Sequence, residues 1–406
     1  MPILLEEDLQ RPLPRMYRVR QQFDETRLED VAGTVRAELA NPEIRALVKP
    51  GMRIAVGVGS RGIQNLYTIV ETTVNSLKEL GAEPFIVSAM GSHGGGTEEG
   101  QREVLAGYGI TEERLGVPVV TTVDTVYLGN CANGRPVWFD RAAYEADLIV
   151  PINRVKLHTD FVGPIQSGLC KMLVIGLGNH KGCSAVHEEA PEVFADAIEE
   201  TARLILQKAP VGFGIAILEN AYDKTYAVEA VPAEHLVERE KELVQIAKGN
   251  MPYIMLDEAD VIVCGAIGKD ISGAGFDPNI LGRSSVLKQF VLHIPRYQRL
   301  VLCDVTPAMA TASAWDCSTS SRKRSPSSST SNPCTPTPSP ATVWATRRCP
   351  APWTTRRPPS AWRSNAAGIS TAITPGSSAS KIRCISARSK SPRRCSMRCA
   401  LILACH

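Results

Sequence analysis

From Met52 onward, short apolar runs of strand length alternate with segments of helical periodicity, and this alternation restricts the chain to an α/β fold. Met52–Val58 reads as a short buried strand after Pro50-Gly51. Asn65–Leu80 reads as an amphipathic helix stopped at Gly81, a suitable residue for a left-handed helix end, and Pro84–Ala89 as the next strand. Thr97–Ala106 opens on a capping threonine with acids in its first turn. Further strands are expected at Val117–Val123, Asp147–Ile152, Val211–Leu218 and Ala259–Gly265. Further helices are expected at Leu28–Leu47, at Phe194–Leu206 and, as a charged surface helix, at Ala233–Ala247. The expectation is two α/β domains with largely parallel sheets and a ligand cleft between them. Residues 1–258 would form an N-terminal catalytic and cofactor domain, and residues 259–307 the start of a C-terminal α/β domain.

The pattern stops near Pro307. From Ala308 to His406 there is one acidic residue, Asp316, against fifteen Lys and Arg, and the stretch holds seven of the twelve cysteines and four of the five tryptophans. The body before it carries thirty basic and forty-one acidic residues, so the formal charge of +3 belongs to the tail and is no nucleic-acid footprint. Ser/Pro-rich disorder does not account for tryptophan and cysteine enrichment. Met309-Ala310-Thr311 needs the codons ATG GCN ACN. A frame beginning one nucleotide earlier reads NAT GGC NAC, which permits His-Gly-Asn with the glycine forced. Residues 308–406 are therefore read as a frame-shifted, low-order tail.

The body's cysteines, Cys131, Cys170, Cys183, Cys264 and Cys303, form no CxxC pair, which argues against a disulfide framework or a structural zinc site. Met1–Arg20 has no basic stretch followed by an apolar run, and every apolar run is strand-sized. A cytoplasmic protein with neither membrane nor nucleic acid as partner is expected.

Three motifs carry chemistry. Gly57-Val58-Gly59-Ser60-Arg61-Gly62 matches GxGxxG between a strand and a helix, where backbone amides can approach a phosphate. The next strand ends without an acid for a ribose hydroxyl, and Arg61 suits a phosphate or carboxylate; a tight turn with no ligand stays open. Gly91-Ser92-His93-Gly94-Gly95-Gly96 sets a histidine in a glycine-rich turn at a strand end, where α/β folds bind ligands. The densest stretch runs from Asn153 to His187. It contains Lys156-Leu157-His158-Thr159-Asp160-Phe161, Ser167-Gly168-Leu169-Cys170-Lys171-Met172, His180 and His187. Histidine suits proton transfer and metal ligation near neutral pH, and a lysine between apolar neighbours, as Lys171 is, can be held neutral and nucleophilic. His180 reads as a solvated residue.

Together the GSHGGGTEE loop, KLHTDF, SGLCKMLVIGLG, His187 and the Gly268–Asn279 segment resemble the nickel-pincer lactate racemase family and its relatives that invert 2-hydroxy acids, over roughly Arg53 to Asp304. The resemblance implies a nickel-pincer mononucleotide tethered covalently to Lys171 as a thioamide, with His187 on the nickel at the family's sixteen-residue separation. It implies His93 and His158 as acid and base, and Arg61 on the substrate carboxylate. Gly57, Gly59, Ser60 and Gly62 are the candidate cofactor-binding turn. The implied reaction passes a hydride from C2 of a 2-hydroxy acid, lactate-like or a sugar acid, to the cofactor and returns it to the opposite face. Enzymes that build the cofactor would be partners. Two other classes stay open: an NAD-type dehydrogenase, favoured by GxGxxG alone, and an inactive or binding-only product lacking its C-terminal domain.

Overall fold

Three neighbouring strands of continuous apolar sequence organise the larger part of the molecule. In this computed structural model, which describes residues 17–268, 271–273, 275–283, 295–306, 381–385 and 400–404, two compact units are separated by their internal contacts. One comprises Phe23–Tyr253 with Arg283–Val291. The other comprises Met1–Gln22, Ile254–Gly282 and Leu292–His406. The tail expectation falls largely on residues outside the described ones, as does Lys269-Asp270.

In the first unit β2 (Arg53–Val58) pairs in parallel with β3 (Glu83–Ser88) on one side and β7 (Leu148–Arg154) on the other. The sheet runs β4-β3-β2-β7-β8-β9, with β4 at Val119–Val120, β8 at Phe213–Glu219 and β9 at Thr225–Pro232. Only β8 and β9 pair antiparallel in it. After their first residue, β2 and β3 are buried throughout, as expected of parallel strands covered on both faces. Val56, Ile86, Val150 and Ile215 meet Ile69, Val74 and Leu77 of the helix Leu66–Glu79 in one core. The fold is thus mixed α/β with a largely parallel central sheet.

The sequence expectation needs local corrections. Leu28–Leu47 is two helices, Val31–Ala40 and Pro42–Leu47. Asn41 ends the first and caps the second, its side chain accepting from the Glu43 amide at 3.1 Å, because the residue before a proline is kept out of helical conformation. The strand expected at Val117–Val123 shrinks to β4. An antiparallel hairpin of β5 (Thr125–Asn130) and β6 (Pro136–Asp140) follows it. The helix Leu236–Asn250 is not only a surface element, since Glu240 on it is fully buried.

The second unit holds a five-stranded sheet, β1-β12-β13-β10-β11. Its strands are β1 (Tyr17–Arg18), β10 (Glu258–Cys264), β11 (Arg296–Leu302), β12 (Lys381–Ile385) and β13 (Ala400–Ala404). β10 runs parallel to both β11 and β13. Asp277 caps the turn Pro278–Leu281 by accepting from the Asn279 amide at 2.9 Å. Among the described residues no helix is long and apolar enough to cross a membrane.

Candidate active site

Because β2, β3 and β7 are adjacent and parallel, the segments that follow them leave the same edge of the sheet. That edge receives Ser60 and Arg61 after β2, His93 after β3 and His158 after β7, at the carboxyl ends where open α/β sheets place ligands. Beyond Arg154 the chain keeps a strand-like alternation: Val155, Leu157, Thr159 and Phe161 are buried, whereas Arg154, Lys156, His158 and Asp160 are half-buried. A two-residue period therefore puts the chemistry-bearing side chains on one face.

Lys171 reaches this face from a stretch to which the sequence expectation assigns no element. The short helix Leu169–Lys171 runs into a π turn, Met172–Gly176, and is followed by the helix Asn179–His187. The Lys171 Nζ lies 2.5 Å from the His158 Nε2. The His158 Nδ1 accepts from the Asp160 amide at 3.0 Å, so the neutral ring carries its proton on Nε2. Nε2–H then donates, and Lys171 must accept as a neutral amine. The electrostatics move both groups toward these neutral forms. Burial, with Lys171, Lys156, His187 and Arg61 nearby, drives the His158 pKa down to about 2. Burial also lowers that of Lys171 to about 8; Asp160 opposes the shift and Arg61 and Lys156 add to it. Phe161 stacks on the His158 ring at 4.2 Å and holds its orientation.

His93 sits on the outer side of the cluster. Its Nδ1 contacts the Ser60 hydroxyl, and Ser60 is in turn held by the Tyr108 hydroxyl, which donates to its carbonyl at 2.8 Å. Partial desolvation, then Arg61, Lys171 and His187, lowers the His93 pKa. The glycines around it meet backbone demands. Gly91 has φ +60°, and a Cβ there would stand 2.8 Å from the Ile175 carbonyl oxygen. Gly94, at φ +64°, would place one 2.6 Å from the Gly100 backbone.

His187, at the end of its helix, lies with Nδ1 2.7 Å from the Cys183 carbonyl oxygen. Nδ1–H donates there, which leaves Nε2 with the lone pair a metal takes. The Cys183 thiol, 3.5 Å from the same Nδ1, raises the His187 pKa against the effect of burial, and the carbonyl adds to it. Among the described residues, the trio of acidic and histidine side chains close enough to share an ion is the exposed Glu43, Glu234 and His235, and His187 is not in it.

The structure thus brings Arg61, His93, His158, Lys171 and His187 within one another's electrostatic reach. Gly57 lies inside β2, where an added Cβ would contact Pro151, Ala89 and Leu177, and Gly59 packs against Met172. Gly62 faces open space, and the Ser60 hydroxyl is engaged by His93. His180 is exposed. Sequence reasoning missed the Ser60–His93 contact, which no local pattern announces. It also missed Lys156 as a charge acting on His158, although the alternation of Arg154 to Asp160 carries that signal.

Residues 11–196 match the model of the lactate racemase N-terminal domain. No curated protein matches the chain. The chain is similar to the lactate racemase apoprotein from Thermoanaerobacterium thermosaccharolyticum, with a TM-score of 0.46 and 14% identity over 62% of this chain and 66% of that one. It is also similar to a Thermotoga maritima protein from a structural genomics programme, with a TM-score of 0.42 and 15% identity over 58% and 63%. The chain therefore spans less than two thirds of the length of either protein. Residues 11–196 of this chain are thus similar to the N-terminal domain of the lactate racemase family.

Proposed function

We propose that the chain is a racemase or epimerase that inverts C2 of a 2-hydroxy acid, with a nickel-pincer mononucleotide tethered to Lys171. The observation that carries this reading is the contact of Lys171, its pKa lowered to about 8, with His158 at the sheet edge shared by Arg61 and His93. A neutral lysine has the lone pair an acyl-type linkage needs, and the free Nε2 of His187 suits nickel; the residues fit the group. When bound, the nucleotide supplies the hydride acceptor and donor at C2.

The chain's own residues handle the anion and the proton. The Arg61 guanidinium is exposed and takes the carboxylate in a bidentate grip. His93, with a lowered pKa, is neutral at neutral pH and receives the proton of the substrate hydroxyl, while Ser60 fixes its ring. His158 serves the other enantiomer. Once Lys171 is acylated its nitrogen no longer accepts, and the His158 Nε2 is released from that contact.

Expression together with the enzymes that synthesise the cofactor tests the proposal. Intact mass should show an adduct that Lys171→Ala abolishes, and the purified protein should retain nickel. A C2-deuterated 2-hydroxy acid should invert with most of its label kept. Adduct-free protein, or fast nickel-independent exchange of C2 with solvent, would defeat it.

A further inference from the structure

The Lys171 helix is too short to hold itself in place. Three α residues leading into a π turn provide few hydrogen bonds for the backbone freedom they fix, so their position must come from outside. Two neighbours supply it. The Asn153 side-chain amide, on β7, donates to the Gly168 carbonyl at 2.8 Å. From the other side comes Glu240, on the helix Leu236–Asn250, with no solvent exposure at all. Its Oε2 accepts from the Cys170 amide at 2.8 Å, one residue before the lysine. The fit is close: a Cβ at Gly168 would stand 2.6 Å from the Glu240 carboxyl carbon.

A carboxyl group buried at this depth is costly, and a well-packed apolar side chain would serve the core better. Its Oε1 is also buried without a hydrogen-bond partner. Burial pushes the Glu240 pKa up to about 7, and the amides of Cys170 and Leu169 pull it back. What the carboxyl does that an apolar group cannot is accept the otherwise unpaired amides at the start of the helix.

We propose that Glu240 is a positioning residue for Lys171: by accepting the first amides of the lysine's helix it fixes the Lys171 side chain in its desolvated place against His158. The proposal rests on reading Lys171 as the reactive amine, but its test does not need the cofactor. The charged and titratable groups facing Lys171 are His158, Asp160 and Lys156 beyond β7, Arg61 after β2 and Cys183 on the following helix. Those around Glu240 are Cys170, with Glu199 and Arg203 acting on the same thiol.

The experiment labels the apo-protein with acetic anhydride from about pH 6 to about pH 10 and follows acetylation of Lys171 by peptide mass spectrometry. The wild type should show a midpoint near pH 8. Glu240→Ala should move that midpoint upward, with labelling at pH 8 falling about fivefold for a rise of one unit. Gly168→Ala, which pushes the carboxyl away without removing it, should move it the same way and decides the matter if Glu240→Ala does not fold. Glu240→Gln keeps an acceptor for the amides and should restore the wild-type midpoint. A purely structural role would lower the melting temperature and leave the midpoint alone. A folded Glu240→Ala or Gly168→Ala protein with the wild-type midpoint overturns the proposal, as does a Gln variant that behaves like Ala. If the midpoint moves as stated but no cofactor adduct forms on Lys171, positioning stands and the tether reading falls.

Discussion

The rim of the site and its floor contain the same kinds of side chain and treat them differently. On the rim, Arg61, His93 and His187 are exposed, and the two histidines shift in opposite directions, His93 down and His187 up. On the floor, Glu240 is fully buried and Lys171 and His158 are half-buried, and each is driven toward its neutral form. Residue type therefore does not decide charge here. Surroundings do, because desolvation is the largest cause on the floor, whereas at the rim nearby cations reinforce it at His93 and the hydrogen bond with Cys183 overrides it at His187.

The largest expected effects separate the two histidines. His93→Ala and His158→Ala should each reduce racemisation by about 10²–10⁴. Only His158→Ala should also raise the labelling midpoint of Lys171, since it removes both the Nε2–H donor and a covering ring. Equal midpoints in the two variants would erase the distinction between floor and rim. Next comes the pH dependence of stability. Glu240 has a pKa raised from 4.5 to about 7, so its stabilising contribution is complete below about pH 4.5 and lost as pH rises through 7. Chemical denaturation should show Glu240→Gln gaining on the wild type by up to about 3 kcal/mol between acid and mildly alkaline pH. A pH-independent gap would mean that the carboxyl is not desolvated as described.

Smaller changes belong to the rim. His187→Ala should weaken nickel retention by about 10–100-fold or more while leaving the Lys171 adduct in place, measurable by metal analysis beside intact mass. Loss of the adduct as well would make His187 part of the floor. Ser60→Ala should slow turnover by about tenfold through a freer His93 ring, with Ser60→Thr close to wild type. An unchanged rate in the Ala variant would remove Ser60 from the account.

Much of this was legible in the sequence where one signal dominated. β2, β3 and β7 are continuous apolar runs closed by Gly, Pro or polar turns, and three parallel neighbours oblige their trailing loops to share an edge. His93 and His158 could be placed for that reason, and Lys171 and His187 by their resemblance to a known motif. Other features were hidden because local composition pointed the wrong way. Ser167 to Gly182 carries four glycines and is assigned no element from its sequence, yet Gly168, Gly178 and Gly182 are places where a side chain would strike a neighbour within a helical stretch. Glu240 stands between Arg239 and Lys241 and looks solvated, although its two neighbours pair outward with Glu229 and Glu199. A burial that depends on one helix face meeting a distant backbone has no local signature.

The π turn between Lys171 and His187 sets a phase. The Leu177 amide reaches back five residues to the Met172 carbonyl at 2.8 Å, and Asn179, the first residue of the next helix, adopts φ +53°. In an unbroken α-helix each residue advances the direction of its side chain by about 100°. The wide turn is thus a gear with one extra tooth between the two residues. Deleting a single residue from Met172–Leu177 would let an ordinary α turn form in its place, a local gain in regularity. It would also rotate His187 away from the direction in which Lys171 points. The spacing of the two side chains and the irregularity between them are therefore one specification, and a helix designer who straightened this segment would make better backbone and lose the site.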